Sequence, residues 1–111
     1  MAAVSNLGID QGTTFSVTFT VNDDTGTARD LSTYTARSQM RRSYFSTANT
    51  AFTANIFLPL SGEVVLGLSA TQTASLKPGR YVYDVELVSN TATVERIVEG
   101  IVTIYLSLIH I

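Results

Sequence analysis

Apolar and polar residues alternate along most of this chain. In TTFSVTFTV, Phe15, Val17, Phe19 and Val21 fall on one face and Thr14, Ser16, Thr18 and Thr20 on the other. A period of two in β-branched and aromatic residues predicts a half-buried strand. NDDTGTARD, from Asn22 to Asp30, is turn chemistry, rich in Asx residues and carrying Gly26. TYTARSQMRRSYF is again extended, with Tyr34, Ala36, Ser38 and Met40 on one side and Thr35, Arg37, Gln39 and Arg41 on the other. AFTANI turns Phe52, Ala54 and Ile56 inward, and EVVLGLS does the same with Val64, Leu66 and Leu68. Between them FLPLSG, with Pro59 and Gly62, predicts a turn.

SATQTASL is the one stretch that predicts a helical turn. Ser69 can cap it and Gln72 follows three residues later, the capping-box spacing. KPGRYVYDVELV then gives a Pro-Gly turn and a strand with Tyr81, Tyr83, Val85 and Leu87 on one face. SNTAT turns the chain, and VERIVEGIVTIY is a last strand in which Gly100 marks a β-bulge or a close backbone approach. About seven short strands with turn signals between them predict an all-β fold, an immunoglobulin-like antiparallel β-sandwich with one short helical turn.

Composition agrees with one folded domain. The chain has 111 residues, is 45% hydrophobic and 14% charged, and carries a net charge of −2. That is enough apolar material for a core and too little charge for a disordered chain. Nothing in the charge balance favours nucleic acid or an anionic membrane as a partner. Cysteine is absent, which excludes a disulfide scaffold and thiolate metal sites. The opening MAAVSNLGIDQG has no basic start and no long apolar run, so no signal peptide is expected.

LKPGRYVY places Leu76, Pro78, Gly79 and Tyr81 just before the penultimate strand. In immunoglobulin-like sandwiches a tyrosine near the start of that strand bonds back to the preceding loop. The Tyr81 hydroxyl is therefore expected to find a backbone partner within residues 69–77, with Leu76 closing the same end of the core.

Four stretches together resemble a family. LGIDQGTTFSVTFTVND, DLSTYTARSQMRRSYFS, GEVVLGLSATQTASLKPGRYVYDVEL and TVERIVEGIVTI are similar to small structural proteins of tailed bacteriophages, common in marine phages. The resemblance implies a non-enzymatic β-sandwich built into the tail, baseplate or neck of a virion assembled in the host cytoplasm. It also implies other virion proteins and copies of the chain itself as partners. The closing LSLIHI departs from that family, whose members run on with polar residues. It resembles instead the translation of a transposase end sequence used in DNA library preparation, CTG TCT CTT ATA CAC ATC. The expected organisation is one domain over residues 1–105 and a non-native tail over residues 106–111, on a metagenomic reading frame. His110, the chain's one histidine, then has no role.

Candidate chemistry is sparse. No catalytic, cofactor or metal site is expected: a nucleophile triad needs a base, and the histidine lies in that tail. Asp23, Asp24, Thr25 and Gly26 lack the alternating ligands and closing glutamate of an EF-hand calcium loop. Asp84 and Glu86 share a strand face, as a glycosidase pair does, and Arg37, Arg41 and Arg42 form a small basic cluster. If the strands over residues 34–41 and 79–89 are neighbours, Arg37 and Arg41 face Asp84 and Glu86. At least one exposed cross-strand ion pair, contributing about 0.2–1 kcal/mol, is then expected. The alternative function is a receptor- or carbohydrate-binding adhesin module, for which Tyr44, Phe45, Phe57 and Tyr83 are the candidate exposed aromatics.

Overall fold

Alternation becomes strand in each stretch where it was read. The structure, a computed structural model, describes residues 3–22, 26–42 and 50–106. Its strands are β1 (Ala3–Val4), β2 (Leu7–Asp10), β3 (Phe15–Thr20), β4 (Tyr34–Arg41), β5 (Thr50–Leu58), β6 (Glu63–Leu68), β7 (Gly79–Ser89) and β8 (Val94–Tyr105). A 3-10 turn at Pro59–Ser61 separates β5 from β6, and the helix α1 (Ala70–Ala74) lies between β6 and β7. The fold is all-β, one curled open sheet in the order β1-β8-β7-β4-β5-β6-β3, with β2 also on β8. β1 and β2 lie end to end along β8, opposite Val98–Glu99 and Val102–Tyr105, so eight strands occupy seven positions across the sheet.

The curl is produced at β5. Its first residues pair with β4 (Met40↔Thr50, Ser38↔Phe52), while from Thr53 onward it pairs with β6 (Thr53↔Gly67, Ile56↔Val64). Side-chain alternation continues through the change: Phe52 is buried, Ala54 and Ile56 are half-buried, and Thr53 and Asn55 are exposed. Both halves of the sheet therefore turn their apolar rows onto one core. Val64 and Leu66 from β6 share it with Val85 and Leu87 from β7 and Val102 from β8, all fully buried. Phe52 joins the halves, its ring 6.3 Å from Phe15 and 6.1 Å, edge-on, from Tyr83. Offset and edge-on ring pairs add about 0.5–1.5 kcal/mol to what burial alone contributes.

The expectation of a wholly antiparallel sheet is corrected at the N-terminal edge, where β1 and β2 run parallel to β8. At two and four residues they are too short to register as alternation. Yet Ile9 is 1% exposed, and the Tyr83 hydroxyl donates to the Ser5 carbonyl at 2.5 Å. Leu31, also 1% exposed, is another core residue that no periodic stretch announced. The loop carrying it is pinned by Arg29, which pairs with Glu95 at 2.8 Å and donates to the Tyr34 hydroxyl at 2.8 Å. That hydrogen bond, followed by Glu95, raises the Arg29 guanidinium pKa above its ordinary value against the cost of burial.

Gly100 is a close approach and not the bulge. A Cβ there would lie 2.1 Å from the Ser5 carbonyl oxygen. The bulge sits three residues earlier: Val85 pairs with Val98 but Glu86 pairs with Arg96, leaving Ile97 extra in β8. Gly100→Ala should therefore force β1 off β8 and cost about 2–3 kcal/mol. Gly67→Ala, whose Cβ would sit 3.4 Å from the Phe15 carbonyl, should change stability by less than about 1 kcal/mol. Denaturant titration of both variants checks the contrast; equal losses would contradict the packing described.

Candidate functional site

Charged side chains collect on the outward face of β4, β7 and β8. The β4–β7 ladder sets Arg37 opposite Glu86 and Gln39 opposite Asp84, and the β7–β8 ladder sets Asp84 opposite Glu99. Arg37 Nε lies 2.8 Å from Glu86 Oε1, so the two strands named from the sequence are neighbours and carry a cross-strand ion pair. Arg96 Nε lies 3.3 Å from Asp84 Oδ2, and its Nη1 is 3.5 Å from Glu99. Arg41 donates to Gln39 Oε1 at 3.2 Å. Together these groups line a shallow depression of about 430 Å3.

Arg96 was not visible as a member of this cluster, and the bulge explains why. Counted back from the buried Val98, strict alternation would turn residue 96 inward. The extra residue Ile97 shifts the register by one, so Arg96 opposes Glu86 on the outward face. The chemistry available here is electrostatic and weak: Arg37 is 59% exposed, and such pairs contribute about 0–1 kcal/mol. Asp84 nonetheless differs from a surface carboxylate. Partial burial, then the neighbouring Glu86, raises its pKa above the usual range, against the pull of Arg96, Arg41 and Arg37. Among the described residues no three carboxylate or imidazole groups gather as a metal site.

The second constellation is the corner before β7. The Tyr81 hydroxyl donates to the Lys77 carbonyl at 2.7 Å, within the 69–77 segment. Arg42 lies over the Tyr81 ring at 4.6 Å and donates to the Pro78 carbonyl at 3.2 Å. Gly79 makes the turn possible with φ of 132°, a conformation that side chains rarely adopt. Leu76 is buried, and its carbonyl accepts from Gln11 Nε2 at 2.9 Å. Helix α1 carries the capping box read from the sequence: Gln72 N–H donates to Ser69 Oγ, and Ser69 N–H donates to Gln72 Oε1. Thr73, fully buried, donates to the Thr13 carbonyl at 2.7 Å and ties the helix to the start of β3.

Other candidates separate clearly. Tyr83, named among the candidate exposed aromatics, is 3% exposed: it faces the core on the strand face that alternation gave to Tyr81, Tyr83, Val85 and Leu87, and burial raises its phenol pKa. Asp23, Asp24, Thr25, Tyr44, Phe45, the side chain of Phe57 and His110 lie outside the described residues. Among the described residues, the exposed aromatic not named from the sequence is Tyr105, 54% exposed, whose Cε2 lies 3.0 Å from where a Gly8 Cβ would be. Gly8 leaves the space that this ring occupies.

No protein-family model matches the chain, and no curated protein matches it. Among solved structures it is similar to an internalin-like protein of Listeria monocytogenes (lmo2027), with a TM-score of 0.48 and 12% identity. The match covers 94% of this chain and 28% of that one, so the chain spans less than a third of its length. Among the described residues no helix is long and apolar enough to cross a membrane.

Tyr81→Phe should cost about 1–2 kcal/mol by stranding the Lys77 carbonyl, and Leu76→Ala about 2–4 kcal/mol, both read by chemical denaturation. A wild-type midpoint for Tyr81→Phe would reduce the corner to an ordinary core ring. The raised Asp84 pKa gives a sign: stability linked to this group is fully present below the unfolded pKa and is lost as pH rises through the folded value. In a carboxyl NMR titration Glu86→Gln should lower the Asp84 midpoint and Arg96→Met should raise it. The opposite order would contradict the assigned causes.

Proposed function

We propose that this chain is a non-enzymatic structural protein of a tailed-bacteriophage virion, acting by protein–protein assembly in the tail, baseplate or neck. Its partners on this reading are other virion proteins and copies of itself. The sequence resemblance supports it, and so does one observation above others: the two outward faces differ in kind. The β4–β7–β8 face is charged and internally paired. On the β3–β6–β5 face, the rungs Ser16–Gly67–Thr53 and Thr18–Val65–Asn55 carry no charge, and charge enters with Glu63 at one end. A neighbour can cover such a hydroxyl- and amide-rich face without desolvating an ion.

The finer reading of the fold is an immunoglobulin-like sandwich. The sets β3–β6–β5 and β4–β7–β8, the parallel N-terminal edge beside β8, and the Tyr81–Lys77 hydrogen bond support it. Nuclear Overhauser contacts from the Phe52 ring to both Phe15 and Tyr83 are expected on this reading, and their absence counts against it.

A carbohydrate-binding adhesin module is the second reading, favoured by the exposed ring of Tyr105. Mass spectrometry of purified virions separates the two from a host protein: the tryptic peptide YVYDVELVSNTATVER, residues 81–96, should appear in particles carrying this gene. Particles that lack it while infected cells contain it would overturn the virion reading. Glycan binding by the isolated chain that Tyr105→Ala abolishes would favour the adhesin.

A further inference from the structure

Among the described residues, β3 ends the sheet order, with one side paired to β6 and no strand on the other. Edge strands of monomeric proteins are normally short, charged, bulged or interrupted by proline. The opposite edge follows that rule, being built of two- and four-residue strands and carrying Asp10. β3 does not. It is six residues long, regular and free of proline, and the chain has no charged residue between Asp10 and Asp23.

The open side offers backbone groups in a definite register. Val21 N–H donates to the Gly62 carbonyl across to β6. By the alternation of an antiparallel ladder, Phe15, Val17 and Phe19 also turn their amides toward β6, and Ser16, Thr18 and Thr20 turn theirs to the open edge. The sequence around Val17 reads nearly the same in both directions: Thr14-Phe15-Ser16-Val17-Thr18-Phe19-Thr20. Antiparallel pairing of two such strands about Val17 sets Phe15 against Phe19, Ser16 against Thr18 and Thr14 against Thr20. Edge-facing residues then meet edge-facing residues, so Ser16 and Thr18 exchange both hydrogen bonds, and like side chains meet on each face.

Apolar surface agrees with the backbone. Phe15, Val17 and Phe19 remain only half-buried, unlike the buried rows of β6 and β7. Phe19 also lines a groove of about 660 Å3 between the β3 edge and the start of β1 and β8. A neutral, self-complementary strand with half-covered rings fits a copy of itself better than a partner of either charge.

We propose that the open edge of β3 is the interface of a two-fold homodimer, β3 pairing antiparallel with the β3 of a second copy about Val17. This goes beyond the virion reading and does not rest on it, because it concerns the isolated chain in solution. Sedimentation equilibrium should give twice the chain mass of 12.0 kDa. Ser16 and Thr18 are exposed, so charging them leaves the core alone. S16K/T18K opposes lysine to lysine at both central pairs and should weaken dimerisation about tenfold or more, with an unchanged circular dichroism spectrum. S16K/T18E opposes lysine to glutamate in the same register and should restore it. As a second readout, Val17→Cys, in a chain without cysteine, should form an intermolecular disulfide under mild oxidation. A monomer at high micromolar concentration overturns the proposal, the edge then belonging to a strand of another protein. A dimer that survives S16K/T18K, or one lost equally in S16K/T18E, overturns it as well.

Discussion

The change of partner within β5, from β4 up to Phe52 to β6 from Thr53, is the constraint on which the remaining structure depends. A sheet of this width without a corner would leave its apolar face open to water. By leaving β4 and joining β6 without losing its side-chain alternation, β5 turns one row of inward residues through the corner. Phe52 stands at that point, touching a ring from β3 and a ring from β7. The buried rows of β6, β7 and β8 then meet in one core, and their burial becomes cumulative.

Closure at the other end of the chain works differently. β1 and β2 contribute few ladder hydrogen bonds, and their hold on the sheet comes from fit. Gly100 has no side chain where the Ser5 carbonyl passes, Ser5 N–H donates to the Glu99 carbonyl, and Asn6 Oδ1 accepts from Ile101 N–H. The Tyr83 hydroxyl reaches the same Ser5 carbonyl from within the core. A buried phenol needs such a partner, at a cost of about 1–3 kcal/mol if it is left without one. The N-terminal edge and the core tyrosine therefore satisfy each other, and a change at Gly100 would be felt at Tyr83.

The two outward faces divide the chain's polar chemistry. Charges gather on β4, β7 and β8 and largely neutralise one another. β3, β5 and β6 present hydroxyls and an amide. On the proposed reading, the charged face is satisfied within the chain and the neutral face is the one that meets other protein.

The period of two determined the framework. It placed Val64, Leu66 and Leu68, Tyr81 through Leu87, and Phe52 through Ile56 on inward faces because alternation is a local property of extended backbone. The capping box of α1 and the turn at Pro78-Gly79 were legible for the same reason, each being set within four residues. What the tertiary structure decided is what depends on contacts distant in sequence. The parallel addition of β1 and β2, the burial of Ile9 and Leu31, and the approach of Ser5 to Gly100 involve stretches too short or too aperiodic to carry a pattern. Arg96 joined the charged face only because one extra residue, Ile97, inverted the alternation of β8, and a local period cannot announce its own interruption. The exposure of Tyr105 follows from the same fact: side-chain type is written in the chain, but which rings stay uncovered is settled by the partners they meet.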